Sequence, residues 1–396
     1  MMGINSTRKQ KVHSLTGRIT PQLMLAAFKA VKRNRGAAGI DKVSIKMFQA
    51  NLDDNLRALM QDLKQGSFEP FPLRRVFVPK NEKEFRPLGI PAVRDRVAQE
   101  VVRRLLNPLF ERLFHDSSFG FRQGRNCHLA IKRALLLHRA GLRVVLDADI
   151  KSFFDNLSHS VIMKAVAAEV ADGNILRLVQ KFLRSGVMED GVFKPTTVGT
   201  PQGGVISPLL ANIVLNHLDW QLHQHGYQFV RYADDFVVIC RSKLQAESAL
   251  NLVQQVLATL GLQLSAEKTR ISTFGKGYSF LGFVLSAHSR QMRPKSLQKF
   301  KDKVRKLTLR HYNFEAQVIE KLNRVLKGTS YYFATSFATC RWLFQKLDSW
   351  IRMRLRCMKF KRKWATDNYK LRNRTFHKLG LFSMEQFCIL QRAAKA

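Results

Sequence analysis

Two adjacent acids, Asp234-Asp235, sit between two apolar runs, Tyr227 to Arg231 and Phe236 to Cys240. That pattern is a tight β-hairpin with carboxylates at its tip. A second apolar run, Val144-Val145-Leu146, leads into Asp147 and Asp149, which share one face of a strand because side chains alternate. Carboxylates gathered from separate strands suit divalent cations, since Mg2+ takes hard oxygen ligands and completes its shell with water and phosphate. The chemistry open to two such ions is nucleotidyl transfer, one activating a 3′-hydroxyl and the other holding a triphosphate. Without a cation, neighbouring carboxylates repel each other. Taken alone, Asp234-Asp235 reads equally well as a solvated surface turn. The second acidic strand end weakens that alternative. Asp155, just beyond, reads as an acid at a helix N-terminus stabilised by the helix dipole.

The elements that must position these acids follow from periodicity and turn residues. Pro21 suits a first helical position, and apolar spacing predicts a helix from Gln22 to about Val31. The glycines within Asn34 to Asp41 interrupt regular structure, and a helix is expected over Ile45 to Gln65. Arg74 to Lys80 and Phe85 to Ile90 form a basic hairpin around a polar turn at Asn81 to Glu84. Residues 92 to 114 return to helical spacing. Ser158 can cap a helix to about Val170, and Ser207-Pro208 reads as a cap with proline at the first helical position. A helix over about 245 to 260 and short strands near Gly277 to Leu285 complete an α+β block.

Charge narrows the partners. The chain of 396 residues has 67 Lys and Arg against 29 Asp and Glu, a formal net charge of +38. Such a charge opposes compaction unless a polyanion neutralises it, and nucleic acid gains binding free energy by releasing counterions. More than half of the excess lies after residue 289, where 27 Lys and Arg meet 6 Asp and Glu along helical, aromatic-studded sequence. Five scattered cysteines with no Cys-x-x-Cys pair argue against a disulfide framework or zinc ribbon and fit a reducing compartment. No apolar run is long enough to span a membrane. The acid-free first 40 residues read as a basic arm for nucleic acid, although an organellar transit peptide shares that composition. Bacterial cytoplasm is the expected location.

Three ordered stretches carry a resemblance: Leu146-Asp147-Ala148-Asp149-Ile150-Lys151-Ser152-Phe153-Phe154-Asp155, then Gly199-Thr200-Pro201-Gln202-Gly203-Gly204 through Asn212, then Arg231-Tyr232-Ala233-Asp234-Asp235. With Arg86 to Pro91, Ser118 to Arg122 and Ser279 to Phe283, they resemble the group II intron-encoded reverse transcriptases and maturases. Tyr331-Tyr332-Phe333 and Leu347 to Trp364 look like that family's thumb or maturase domain, so the resemblance covers roughly residues 20 to 365. It implies an α+β right-hand polymerase. The expected division is an N-terminal extension and fingers (1–100), a palm with some finger elements (101–289), and an all-α basic thumb or maturase domain (290–396).

The resemblance also assigns roles. Asp149, Asp234 and Asp235 become ligands of two Mg2+ ions, which Mn2+ can replace, with the Ile150 carbonyl completing the shell and Asp147 a supporting charge. Lys80 and Arg86 would clamp the triphosphate, Gln202 would contact the incoming nucleotide, and Phe154 would exclude a 2′-hydroxyl. Phe280, Leu281 and Gly282 would form the primer grip; read without the resemblance, they fit a core strand with a glycine bulge equally well. Gln123 and Lys42 depart from the family pattern, both in loops. A form without an endonuclease domain is expected. Partners would be an RNA template, a DNA primer, deoxynucleoside triphosphates and intron RNA, in a monomer or dimer. The expected activity is RNA-directed DNA synthesis with a splicing role in retrohoming. Alternatives are a protein chiefly binding RNA, or a domesticated enzyme of DNA repair or phage defence. A template-free nucleotide cyclase leaves the basic C-terminal region without a purpose.

Overall fold

A computed structural model describes residues 11–79, 84–189, 191–200 and 203–393. The chain forms two compact units. The first runs to Arg133 and resumes over Leu146–Arg270; the second takes Ala134–Val145 and continues from Ile271.

The first unit opens with α1 (Pro21–Arg33), whose proline is at the first helical turn as expected. The helix expected over Ile45 to Gln65 is broken into α2 (Ile45–Ala50) and α3 (Leu52–Gln65). Asn51 between them sits at φ −120, ψ 52, outside the helical region. Asn is a weak helix former and here makes no side-chain capping bond, while Asp53 and Asp54 behind it favour a new N-terminus. The basic hairpin forms as β1 (Leu73–Pro79) and β2 (Phe85–Ile90), paired antiparallel with Val78 opposite Arg86. Lys80 and Asn81 to Lys83 lie outside the described residues. After α4 (Val93–Glu111) and α5 (Cys127–Arg139) comes β3 (Val144–Asp149), ending on the expected acid.

Next follow α6 (Phe153–Asn156), α7 (His159–Ala167), α8 (Gly173–Arg184), β4 (Val187–Glu189) and β5 (Val192–Lys194). Helix α7 stops at Ala167, short of Val170, which instead bridges to Val12. Helix α9 (Ser207–Gln224) is capped by Ile206, so Ser207 is itself helical and Pro208 follows it one position later than expected. Its Leu210, Val214, Leu215, Leu218 and Leu222 are buried. It packs on β6 (Gln228–Tyr232), α7 and α10 (Lys243–Thr259). Strand β7 (Asp235–Cys240) is apolar from Phe236 onward and buried there on both faces, as a central strand must be. With β8 (Arg270–Thr273) the palm-like sheet has the order β6-β7-β3-β8, and a second sheet has the order β2-β1-β4-β5.

In the second unit, β9 (Tyr278–Phe280), β10 (Phe283–Leu285) and β11 (Arg290–Met292) make an antiparallel sheet. Helices α11 (Pro294–Leu307), α12 (Ala316–Phe333), α13 (Arg341–Phe360), α14 (Asp367–Lys370), α15 (Asn373–Lys378) and α16 (Met384–Ala393) follow. Asp348 on α13 accepts hydrogen bonds from the Met384 and Glu385 amides, which ties α16 down by its N-terminus. The α+β class expected from sequence is the one observed. No helix among the described residues is long and apolar enough to cross a membrane.

One buried acid sets a pH dependence. Asp95, near the start of α4, is 1% exposed, and burial pushes its carboxyl up to about 7 despite the Phe71 amide and nearby Arg94. Because this folded value exceeds the unfolded one, the stabilisation is complete below about pH 4 and is lost as pH rises toward 7. Asp95→Asn removes that slope. The variant should gain on the wild type by on the order of a few kcal/mol between pH 5 and pH 8, read from paired thermal melts. Parallel melting curves at both pH values would show that Asp95 ionises normally.

Candidate active site

The hairpin β6–β7 pairs Tyr232 with Asp235, leaving Ala233 and Asp234 as the turn. Ala233 adopts φ 59, a left-handed conformation that costs an alanine about 1–2 kcal/mol. A neighbouring segment braces it. The Phe119 amide donates to the Arg231 carbonyl at 2.8 Å, and the Arg231 amide to the Ser117 carbonyl at 2.9 Å. Gly120 then passes so close that a Cβ there would lie 2.3 Å from the Ala233 nitrogen. The Ser118 to Arg122 stretch therefore acts as a buttress for the acidic turn, a role its sequence did not disclose.

Asp234 is half-buried while the Asp235 side chain is exposed. Burial raises the Asp234 carboxyl above the usual range; the charge of Asp149 adds to that, and Arg86 and Arg231 oppose it. Asp234 thus lies within the field of both Asp149 and Arg86. Asp149 holds the Lys268 ammonium at 2.9 Å, and Asp147 holds the Arg270 guanidinium at 3.2 Å. Burial raises the Asp147 carboxyl, with Arg270 pulling against it. Lys268 and Arg270 were absent from the sequence reading. Lys268, in the turn before β8, and Arg270, the first residue of β8, carry no local signal that would pair them with these acids.

Among the described residues, no group of three or more His, Cys, Asp or Glu side chains stands close enough to hold a metal. The donor set still fits a divalent cation. Its donors are hard carboxylate oxygens, Asp234 is partly desolvated beside Asp149, and Asp149 already carries an ammonium as counter-charge.

The loop expected to meet the nucleotide lies beside α6. The Phe154 carbonyl accepts from the Thr200 amide at 2.7 Å, and the Phe154 ring packs edge-on to buried Phe153 at 5.1 Å. Gly203 has φ 117, and a Cβ there would lie 2.3 Å from the Gly89 carbonyl on β2. The Val205 amide donates to buried Gln99 at 2.7 Å. The loop is fastened to α6 on one side and to β2 on the other; Gln202 itself lies outside the described residues. Ile150 forms an isolated bridge with Leu264, so the backbone beyond Asp149 remains paired.

Against known proteins, residues 78–285 match the family described as "Reverse transcriptase (RNA-dependent DNA polymerase)". Residues 297–380 match "Group II intron, maturase-specific domain". The chain belongs to the group II intron reverse transcriptases. Protein YkfC of Escherichia coli (strain K12) is 35% identical over 303 residues, 66% of this chain and 80% of that protein. Group II intron-encoded protein LtrA of Lactococcus lactis subsp. cremoris is 37% identical over 54% of this chain but 35% of its own length. The Retron Mx65 reverse transcriptase of Myxococcus xanthus is 30% identical over 55% of this chain and 53% of its own. The family is that of an RNA-directed DNA polymerase joined to a maturase domain, and it implies a divalent metal, an RNA template, a primer and intron RNA.

The reverse transcriptase match ends just beyond the stretch expected to form the primer grip. Phe280 and Phe283 pair across Leu281 and Gly282, both at positive φ (46 and 82). The Tyr332 hydroxyl donates to the Leu281 carbonyl at 2.8 Å, and the Arg293 amide to the Gly282 carbonyl at 3.0 Å. Phe280 and Phe283 are 1% and 0% exposed. Their rings are core, so only the turn between them is open to a nucleic acid. In the maturase region, cations sit on aromatic faces: Lys346 on Trp342, Arg305 and Arg354 about Trp350, Arg362 on Trp364.

Proposed function

We propose that the chain copies RNA into DNA with Asp149, Asp234 and Asp235 holding two Mg2+ ions, the Ile150 carbonyl assisting. The observation that carries this is Asp234, fixed in a tight turn within the field of both Asp149 and Arg86. When bound, the ions would activate the primer 3′-hydroxyl and neutralise the triphosphate. Arg86, and Lys80 and Gln202 by family resemblance, bind and orient the incoming nucleotide. Phe154 sets the sugar, and the Leu281–Gly282 turn with Phe280 behind it steadies the primer strand. The proposed division is fingers to residue 100, palm to 289, thumb and maturase beyond. The cationic, aromatic helices hold template–primer and intron RNA by phosphate contact and stacking. The setting is the bacterial cytoplasm.

Purified chain given an RNA template, a DNA primer, the four deoxynucleoside triphosphates and Mg2+ should extend the primer to the template end. Chelation should stop it. Extension that proceeds with the template omitted, or no extension at all, overturns the reading. The retron relative is named as a reverse transcriptase alone, which leaves a second reading, DNA synthesis without a splicing role. Failure to promote splicing of a cognate group II intron, with polymerase intact, would select it.

A further inference from the structure

Under the acidic turn lies a buried polar cluster. Arg231 is 0% exposed, although arginine is seldom fully buried without a partner. Its Nε and Nη2 donate to the two carboxylate oxygens of Asp219 on α9, at 2.7 and 2.5 Å, and Asp219 is also 0% exposed. Its Nη1 donates to the Ala233 carbonyl and to Asn212 Oδ1, each at 2.9 Å. Asn212, 1% exposed, passes the connection on by donating from Nδ2 to the Gly120 carbonyl at 2.8 Å.

A buried ion pair is weak evidence for stability, because well-packed apolar side chains often replace one without loss. The rest of this core is apolar, with Val230 and Leu215 both 0% exposed. What the pair supplies is direction. A guanidinium held by two bonds to one carboxylate has its plane fixed, and its remaining N–H groups then point along set lines. One of those lines ends on the carbonyl of Ala233, the residue at φ 59 immediately before Asp234.

We propose that Arg231 is a positioning residue: anchored by Asp219 and Asn212, it holds the Ala233–Asp234 turn in the conformation that binds a divalent cation. This rests on the reading that Asp234 is a metal ligand. Arg231 touches neither substrate nor ion, and acts through the Ala233 carbonyl. Asp219 and Asn212 act one step further back, by fixing Arg231.

The test uses the full chain bound to an RNA/DNA template–primer, with Mn2+ binding followed by electron paramagnetic resonance and dNTP kinetics measured beside it. Arg231→Lys keeps the charge and loses the fork. The double variant Arg231→Met/Asp219→Leu replaces the pair by apolar side chains and keeps the fold testable. Asn212→Ala removes one anchor only. Mn2+ affinity should fall roughly tenfold in the first two and about threefold in the third, with kcat falling and KM for the nucleotide little changed. Wild-type Mn2+ affinity in variants that melt where the wild type does overturns the proposal, since a purely structural role predicts that result. Asp234→Asn is the control. Should it too bind Mn2+ normally, the metal-site reading fails and takes this proposal with it. Loss in Asp234→Asn with none in the Arg231 variants overturns the positioning role alone.

Discussion

Asp234→Asn is expected to slow DNA synthesis by on the order of a thousandfold, since a metal-held transition state is worth several kcal/mol and each 1.36 kcal/mol is a factor of ten. Asparagine matches aspartate in shape and tolerates turns, so the Tyr232–Asp235 pairing should survive. What is lost is one full negative charge where Asp149 and Arg86 both act. Template–primer affinity should hold or rise slightly, because the chain keeps its excess of Lys and Arg and one acid fewer repels the backbone. Splicing of a cognate intron should be spared for the same reason, as the RNA binding proposed above draws on cations and aromatic faces in the maturase region. Primer extension, filter binding and splicing assays on one preparation separate these effects. Asp149→Asn should act alike in polymerisation while releasing Lys268 from its 2.9 Å partner. DNA synthesis within tenfold of wild type in the Asp234 variant would place the metal elsewhere.

The acidic hairpin was legible because its information is local. Five consecutive apolar residues after Asp235 specify a buried central strand, and two residues between paired positions leave room only for a turn. The Phe85 to Ile90 strand and the Asp149 strand end were legible for the same reason. The break at Asn51 was not, because amphipathic spacing continues through it while the backbone of one residue leaves the helical region. Helix α9 also starts at Ser207 itself, one residue earlier than a Ser207 cap would have it.

Long-range chemistry was harder to read. Arg231 looks like one more cation in a chain of many, and only the fold shows Asp219 and Asn212 converging on it from α9. The paired charges Lys268 and Arg270 lie some 120 positions from their acids, beyond the reach of any motif. Asp95 likewise gave no sign that it would be buried. Residue type narrowed the chemistry early; the partner of each charge had to await the tertiary structure.

Phe154 tests the product rather than the rate. Its ring rests edge-on against Phe153, which is 2% exposed, and its carbonyl is tied to the Thr200 amide. Gly199 lies against the same stretch, where a Cβ would come within 3.0 Å of the Phe154 carbonyl oxygen. With its ring packed on Phe153 and its backbone tied to Thr200, Phe154 has a defined place, which is the property a sugar gate requires. Phe154→Ala should therefore raise kcat/KM for a ribonucleoside triphosphate and leave its deoxy counterpart less affected. The discrimination ratio should shrink by roughly 10–200-fold, the range that one small group gains or loses in a fitted pocket. Single-nucleotide incorporation on an RNA template, with matched ribo- and deoxynucleotides in separate reactions, measures that ratio. A variant that loses deoxynucleotide activity without gaining ribonucleotide activity would make Phe154 a packing residue for α6, and the choice of sugar would then fall to another group.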